Sequence, residues 1–476
     1  MANIPDDVFF ATIAELNGKL KAKEFSAVEL ALAFSERLEK SGPRYNALAL
    51  SLREHALRQA REVDDDIKRG RFRGVLQGIP YGAKDLLSLA GRPTTWGARP
   101  YAGQVFDFDA TVVKKLGKAG AVLAGKLAMV ELAGGGGYRY AAASLTGPGL
   151  NPWDTTRWSG GSSSGSGSAV AAGLVPFAIG SETWGSILTP CAYCGVTGLR
   201  PTYGLVSRYG AMALSWTMDK IGPICRSAED CGHVLRVISG GDSNDPGSAG
   251  KSFFYAPQYA RKLSDLRVGF APVDFAEWAE PTARPAFQAA LEVVRGLGVK
   301  TVEIALPDLP YSLAAGTIIS AEGAAVFEPL IKSGQVDQLA DQHQIAGLKA
   351  GLDIAAKDYL KAMRIRSLIR EAMRKIFIDV DVLVSPSVFG PASKISDPLN
   401  RGFRPKPEPK DRGLRDLGAV GNLAGLPALS LPCGFTSEKL PVSIQLVGRS
   451  FSENNLLALG VEFQKRTDWH RRRPPV

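Results

Sequence analysis

Apolar positions recur at helical spacing from Thr12 to Lys40, and an Ala-rich, charge-laced stretch from Ser51 to Arg69 continues that period, so the chain is expected to open with a helical segment. Gly74 to Leu89, GVLQGIPYGAKDLLSL, then reads as a strand and turn. From Thr111 to Ala133 a helical pattern carrying Lys114, Lys115 and Lys118 runs into the apolar AVLAGK, the alternation of a helix feeding a sheet. Beyond a polar connection, GDSNDPGSAGKS, the stretch LRVGFAP (266–272) opens a strand, helix and strand unit that ends at VKTVEIAL and marks a candidate subdomain boundary. Asp358 to Phe377 is a basic amphipathic helix before the strand VDVLVSPSV. Ile395 to Gly413 is a Pro- and charge-rich loop long enough to serve as a lid. A helix over Val420 to Leu426, strands ALSLPC and SIQLVG, and a helix through Phe463 close the chain.

The region 158–210 departs from this regularity. A Ser/Gly run, SGGSSSGSGS, passes directly into the apolar AVAAGLVPFAIG, which a flexible linker between domains would not do. The run is therefore folded against the core, and glycines beside hydroxyls point to close backbone approach around a site. GSETWGSI follows. Its consecutive N–H groups from Thr183 to Ser186 form the kind of nest an oxyanion requires.

A serine nucleophile needs a base, and the chain has only four histidines, His55, His233, His343 and His470, none beside obvious catalytic neighbours. Gly161, Ser163 and Gly165 match the G-x-S-x-G spacing of a nucleophile elbow, but the polar, turn-like NPWDTTRWS stands where that elbow needs a buried strand. Lys84, in the apolar GIPYGAKDLL, is the alternative base, because desolvation lowers a lysine's pKa. Taken alone, a lysine next to Asp85 more often forms a plain ion pair with it.

Other motifs are weaker. GAVLAGK (120–126) approaches a phosphate-binding loop, but Leu127 stands where a magnesium-binding hydroxyl is required. Cys191 and Cys194 form a lone CxxC among five cysteines, without the further ligands of a zinc site, and read as buried reduced thiols. The net charge of +10 comes from 57 basic and 47 acidic residues scattered along the chain, so no basic stripe marks a nucleic-acid groove. Acidic residues near the N-terminus and the lack of a long apolar run predict neither export nor a membrane span, and so a cytoplasmic location. At 476 residues the length alone allows two or three domains or one large sheet-centred domain.

Taken together, GIPYGAKD, SGGSSSGS, GSETWGSI, CGVTGLRPTYGLVSRYG, DATVVKKLGKAGAVLAGK, NPWDTTRWSGG and NLAGLPALSLPCG resemble the amidase signature family, over about residues 10 to 470. The resemblance implies an α/β fold, α/β/α with a large central mixed sheet flanked by helices. With the helical opening taken as an N-terminal segment over 1–70, it implies an amidase signature domain over 71–476, together one large domain. It assigns Lys84 as base, Ser162 as bridging serine after a cis Gly161–Ser162 peptide, and Ser186 as nucleophile. The N–H groups of Thr183, Trp184, Gly185 and Ser186 become the oxyanion hole. No metal or cofactor is implied.

The implied activity is amide hydrolysis through an acyl-enzyme on a small-molecule substrate, with carbamates, aryl amides and esters within the family's range. Homodimerisation stays open. Two alternatives accompany it: the glutaminase subunit of a tRNA-dependent amidotransferase, and an inactive amidase fold used for binding. Substrate contacts are expected from Gly134, Gly135, Gly136 and Tyr138, with Tyr140 beyond them, and from Ser163 and Trp184. Trp184 replaces a glycine usual in the oxyanion turn, Glu182 the common Asp, Leu188 an Arg often found two residues after the nucleophile, and Ser164 a glycine.

Overall fold

The computed structural model describes residues 4–257, 261–399 and 404–475. The first predicted helical stretch is two helices, α1 (Ile13–Lys21) and α2 (Ala27–Ser41). The break is local chemistry: Lys23 adopts a φ of 59°, and Ser26 and Glu29 form a capping box that starts a new helix, as Thr12 and Glu15 do for α1. Helix α3 (Arg53–Lys68) follows β1 (Leu48–Ser51), a short edge strand that ends where the charge-laced stretch begins.

Among the described residues, eleven strands make one mixed sheet. In chain order they are β1, β2 (Pro80–Lys84), β3 (Val122–Leu127), β6 (Phe177–Glu182), β7 (Thr197–Arg200), β8 (Lys220–Cys225), β9 (Arg267–Phe270), β10 (Lys300–Glu303), β11 (Val382–Pro386), β12 (Ala428–Phe435) and β13 (Pro441–Gly448). A separate two-stranded ribbon holds β4 (Leu150–Asn151) and β5 (Asp154–Trp158). NPWDTTRWS is therefore partly strand, and the antiparallel β4–β5 pairing reflects its β-branched and aromatic residues. Across the main sheet the order is β1-β3-β2-β6-β8-β7-β12-β13-β11-β9-β10. This is the large mixed sheet expected of the family, and β9 and β10 extend it through β11 rather than forming a separate sheet.

One topological feature positions the site. Helix α4 (Thr111–Lys118) connects β2 to the parallel β3 on one side, and α5 (Ser164–Ala171) lies between β3 and β6, which runs parallel to β2 on its other side. The β2-to-β3 and β3-to-β6 connections thus run in opposite directions across the sheet, and such a switch point opens a crevice beyond the carboxyl ends of the strands. Lys84 is the last residue of β2 and Glu182 the last of β6.

Candidate active site

Two neighbouring charges part at the end of β2. Lys84 is fully buried and its Nζ lies 2.7 Å from Ser162 Oγ and 2.9 Å from Ser181 Oγ. Asp85 turns the other way and pairs with buried Lys126 at 2.9 Å, while also accepting from the Thr95 amide and hydroxyl. The Lys84–Asp85 ion pair suggested by adjacency does not form: Asp85 follows the end of β2, its N–H still bonded to the Leu127 carbonyl of β3 at 2.9 Å, and its carboxylate is taken by Lys126. The same pairing assigns Lys126 of GAVLAGK to the core.

Burial drives the Lys84 pKa down to about 7, against the opposing pull of the Asp219 and Glu182 carboxylates. A lysine in this state is half neutral near pH 7.

Ser162 follows a cis peptide from Gly161 and is wholly buried. Its carbonyl accepts from Val130 N–H at 3.1 Å, and Ser163 N–H donates to the Ser186 carbonyl at 3.3 Å. The Ser/Gly segment thereby bridges the strand carrying Lys84 and the turn carrying Ser186. Ser163 itself is buried, its hydroxyl donating to the Ser181 carbonyl and accepting from the Ser181 amide, so its side chain fastens the segment to β6.

The turn from Thr183 to Ser186 joins β6 to α6 (Leu188–Cys194). Gly185 takes the left-handed step at φ 84°, which leaves Trp184 in a conformation that accepts a side chain without strain. Glu182 shapes the far end of the turn. One carboxylate oxygen accepts from Ile187 and Leu188 N–H at 2.9 and 3.0 Å, and the other from Arg200 and Asn422 at 2.8 and 2.9 Å. Burial pushes this carboxyl up, yet Arg200 and Lys220 overcome it and hold the pKa at about 2. Among the described residues, the N–H groups of Trp184, Gly185 and Ser186 have no acceptor in the protein. Ser186 is 7% exposed.

Asp219 braces the turn from the opposite side, accepting from Thr183 Oγ1 at 2.6 Å and from Leu214 and Ser215 N–H. Sequence reasoning missed Asp219, Ser181, Arg200 and Asn422.

Tyr138 lies against the Ser/Gly segment, and the glycines from Gly134 precede it. A Cβ on Gly134 would fall 2.6 Å from the Tyr138 ring, and one on Gly161 would fall 3.1 Å from the Tyr138 hydroxyl oxygen. Gly135 abuts Leu214 and Phe327, and Gly136 packs on Gln344 and Leu348. Buried Glu131 anchors this glycine loop by accepting from Ala340 N–H at 2.9 and 3.1 Å; burial raises its carboxyl to about 7. Cys191 and Cys194 are free, buried thiols on α6. Among the described residues no group of three or more His, Cys, Asp or Glu side chains could hold a metal, and no helix is long and apolar enough to cross a membrane.

The chain as a whole is similar to known proteins. The Amidase family model matches residues 29–457. A glutamyl-tRNA(Gln) amidotransferase subunit from Carboxydothermus hydrogenoformans is 36% identical over 498 residues, covering 99% of this chain and 100% of the relative. The subunit of the same name from Chloroflexus aggregans is 38% identical over 503 residues, covering 99% of both. Among solved structures, the peptide amidase of Stenotrophomonas maltophilia superposes with a TM-score of 0.83 at 31% identity, covering 98% of each chain. The chain belongs to the amidase signature family, hydrolases of carbon–nitrogen bonds.

Proposed function

We propose that this chain hydrolyses small-molecule carboxylic amides through a Lys84–Ser162–Ser186 relay and an acyl-enzyme. The observation that carries the reading is the 2.7 Å approach of Lys84 Nζ to Ser162 Oγ at a buried position that brings the lysine pKa to about 7. Neutral Lys84 takes the proton of Ser162, Ser162 takes that of Ser186, and Ser186 Oγ adds to the amide carbonyl. The N–H groups of Thr183 to Ser186 receive the developing oxyanion. As the carbon–nitrogen bond breaks, Ser162 protonates the departing amine, and water then attacks the ester by the reverse relay. The relay needs neither metal nor cofactor. Its reach extends to carbamates, aryl amides and, as a side activity, esters, in a cytoplasmic setting.

The test is a screen of alkyl amides, aryl amides, carbamates and esters with Ser186→Ala as the blank. Trapping of an acyl adduct on Ser186 by intact mass is expected; an adduct on the Ser186→Ala variant would sink the assignment.

A second reading is favoured by the curated relatives, which align over nearly the whole chain. In it the same relay acts on glutamine, and the ammonia passes to partner subunits of a glutamyl-tRNA(Gln) amidotransferase. Glutaminase activity that appears only when subunits from a relative are added would select this reading. Turnover of simple amides by the isolated chain, with no response to those subunits, would select the first.

A further inference from the structure

The turn that carries Ser186 also forms part of the wall of a cavity of about 770 Å³. Trp184 and Gly185 stand on that wall, with Leu188, Tyr193 and Phe389 beside them. Trp184 is 40% exposed there although the neighbouring residues Glu182, Ser186 and Ile187 are buried. An indole is a large apolar surface, and leaving it open to water in a turn of otherwise buried groups gives up stabilisation that a ligand would recover. Backbone strain does not account for the residue, since Gly185 takes the positive φ.

The position matters chemically. Trp184 stands two positions before Ser186, so their Cα atoms lie within about 7 Å of each other. Gly185, whose N–H has no acceptor in the protein among the described residues, lines the cavity with Trp184, so a group resting on the indole lies beside the turn that carries Ser186, although Ser186 itself does not line the cavity. Leu188, in the first turn of α6, adds a buried apolar side chain to the same wall rather than a charge. Charged side chains line the rest of the cavity: Glu280, Lys394, Asp397 and Asp416 stand on it, Arg157 and Glu182 are paired with Glu438 and Arg200, and the Arg415 guanidinium is drawn over the Trp278 ring, 4.0 Å from its centroid.

We propose that this cavity receives a flat, apolar substituent of the substrate, an aryl or aralkyl group stacked on the Trp184 indole. The proposal rests on the amide-hydrolysis reading and names its substrate class. Offset stacking on indole favours a planar ring over an alkyl chain of equal carbon count, and the volume lies in the range that encloses a ring-bearing ligand.

The experiment compares kcat/KM for benzamide and propionamide in the parent enzyme and in Trp184→Phe, Trp184→Leu and Trp184→Ala. The aryl-to-alkyl ratio is expected to fall about tenfold in Trp184→Ala, to fall less in Trp184→Leu, and to stay within about threefold in Trp184→Phe. Calorimetric titration of benzamide into Ser186→Ala, with and without Trp184→Ala, gives the same comparison without turnover, and the double variant is expected to bind about tenfold more weakly. A ratio and an affinity that do not respond to Trp184→Ala overturn the assignment of the cavity. Turnover that survives in Ser186→Ala instead overturns the relay, so the two failures are distinct.

Discussion

Lys84 Nζ lies 2.7 Å from Ser162 Oγ, at a position with no solvent exposure. Burial lowers the lysine toward a pKa of about 7, and only its neutral form accepts a proton. The acid limb of kcat/KM should therefore rise with pH through about 7. Lys84→Ala should abolish that limb and lower amide turnover by about 10² to 10⁴. Ester turnover should fall less, because an alkoxide leaves with less help from a proton. Equal losses on matched amide and ester substrates would count against Lys84 as the relay base.

The same shift predicts a stability effect. The unfolded lysine titrates near ~10.4, so between about 7 and that value the unfolded chain binds more protons than the folded one, and stability rises with pH. Below about 7 both states are protonated and the penalty of the buried charge is fully present. Lys84→Met should stabilise the fold by a few kcal/mol at pH 6, on the scale of about 1.4 kcal/mol per pKa unit, and by much less at pH 10. Urea unfolding at the two pH values checks this; an equal effect at both would show that the amine is not neutralised in the native state.

Glu182 should be intolerant of neutralisation. It holds the Ile187 and Leu188 amides, and it faces Arg200, whose side chain has no solvent exposure. Glu182→Gln leaves that guanidinium without its counter-ion, at a cost of about 3–5 kcal/mol. Activity should fall along with stability, since the residue defines the end of the turn bearing Ser186. Because the native carboxyl is held at about 2, it should contribute no inflection to the pH–rate profile above pH 4. Chemical denaturation and a pH series of kcat on the variant test both statements.

Much of this arrangement was legible in the chain. The buried setting of Lys84 was visible in GIPYGAKDLL, and the folded state of the Ser/Gly run in its apolar sequel. Asp85 pointed instead to a plain ion pair with the lysine, whereas in the fold it pairs with Lys126 and Lys84 faces Ser162. By contrast, the split between α1 and α2 depends on one left-handed residue, Lys23, inside a stretch whose apolar period continues across the break. Nor does any local pattern tie Glu182 to Arg200 and Asn422, or Thr183 to Asp219, since those contacts are made by tertiary packing and not by spacing along the chain.

Asp219 offers a test of how the turn and the lysine communicate. Its carboxylate accepts the Thr183 hydroxyl at 2.6 Å and pulls the Lys84 pKa upward, opposing the effect of burial. Burial also raises its own pKa, with the hydrogen bonds from Thr183, Leu214 and Ser215 acting to keep it ionised. Asp219→Asn removes the charge and keeps one acceptor for Thr183, so Lys84 should lose a proton more readily and the acid limb of kcat/KM should move to lower pH. At high pH, where Lys84 is neutral in both proteins, any remaining loss of kcat measures the loosened turn alone. An acid limb that stays near 7 or moves upward would show that Asp219 exerts no charge effect on Lys84.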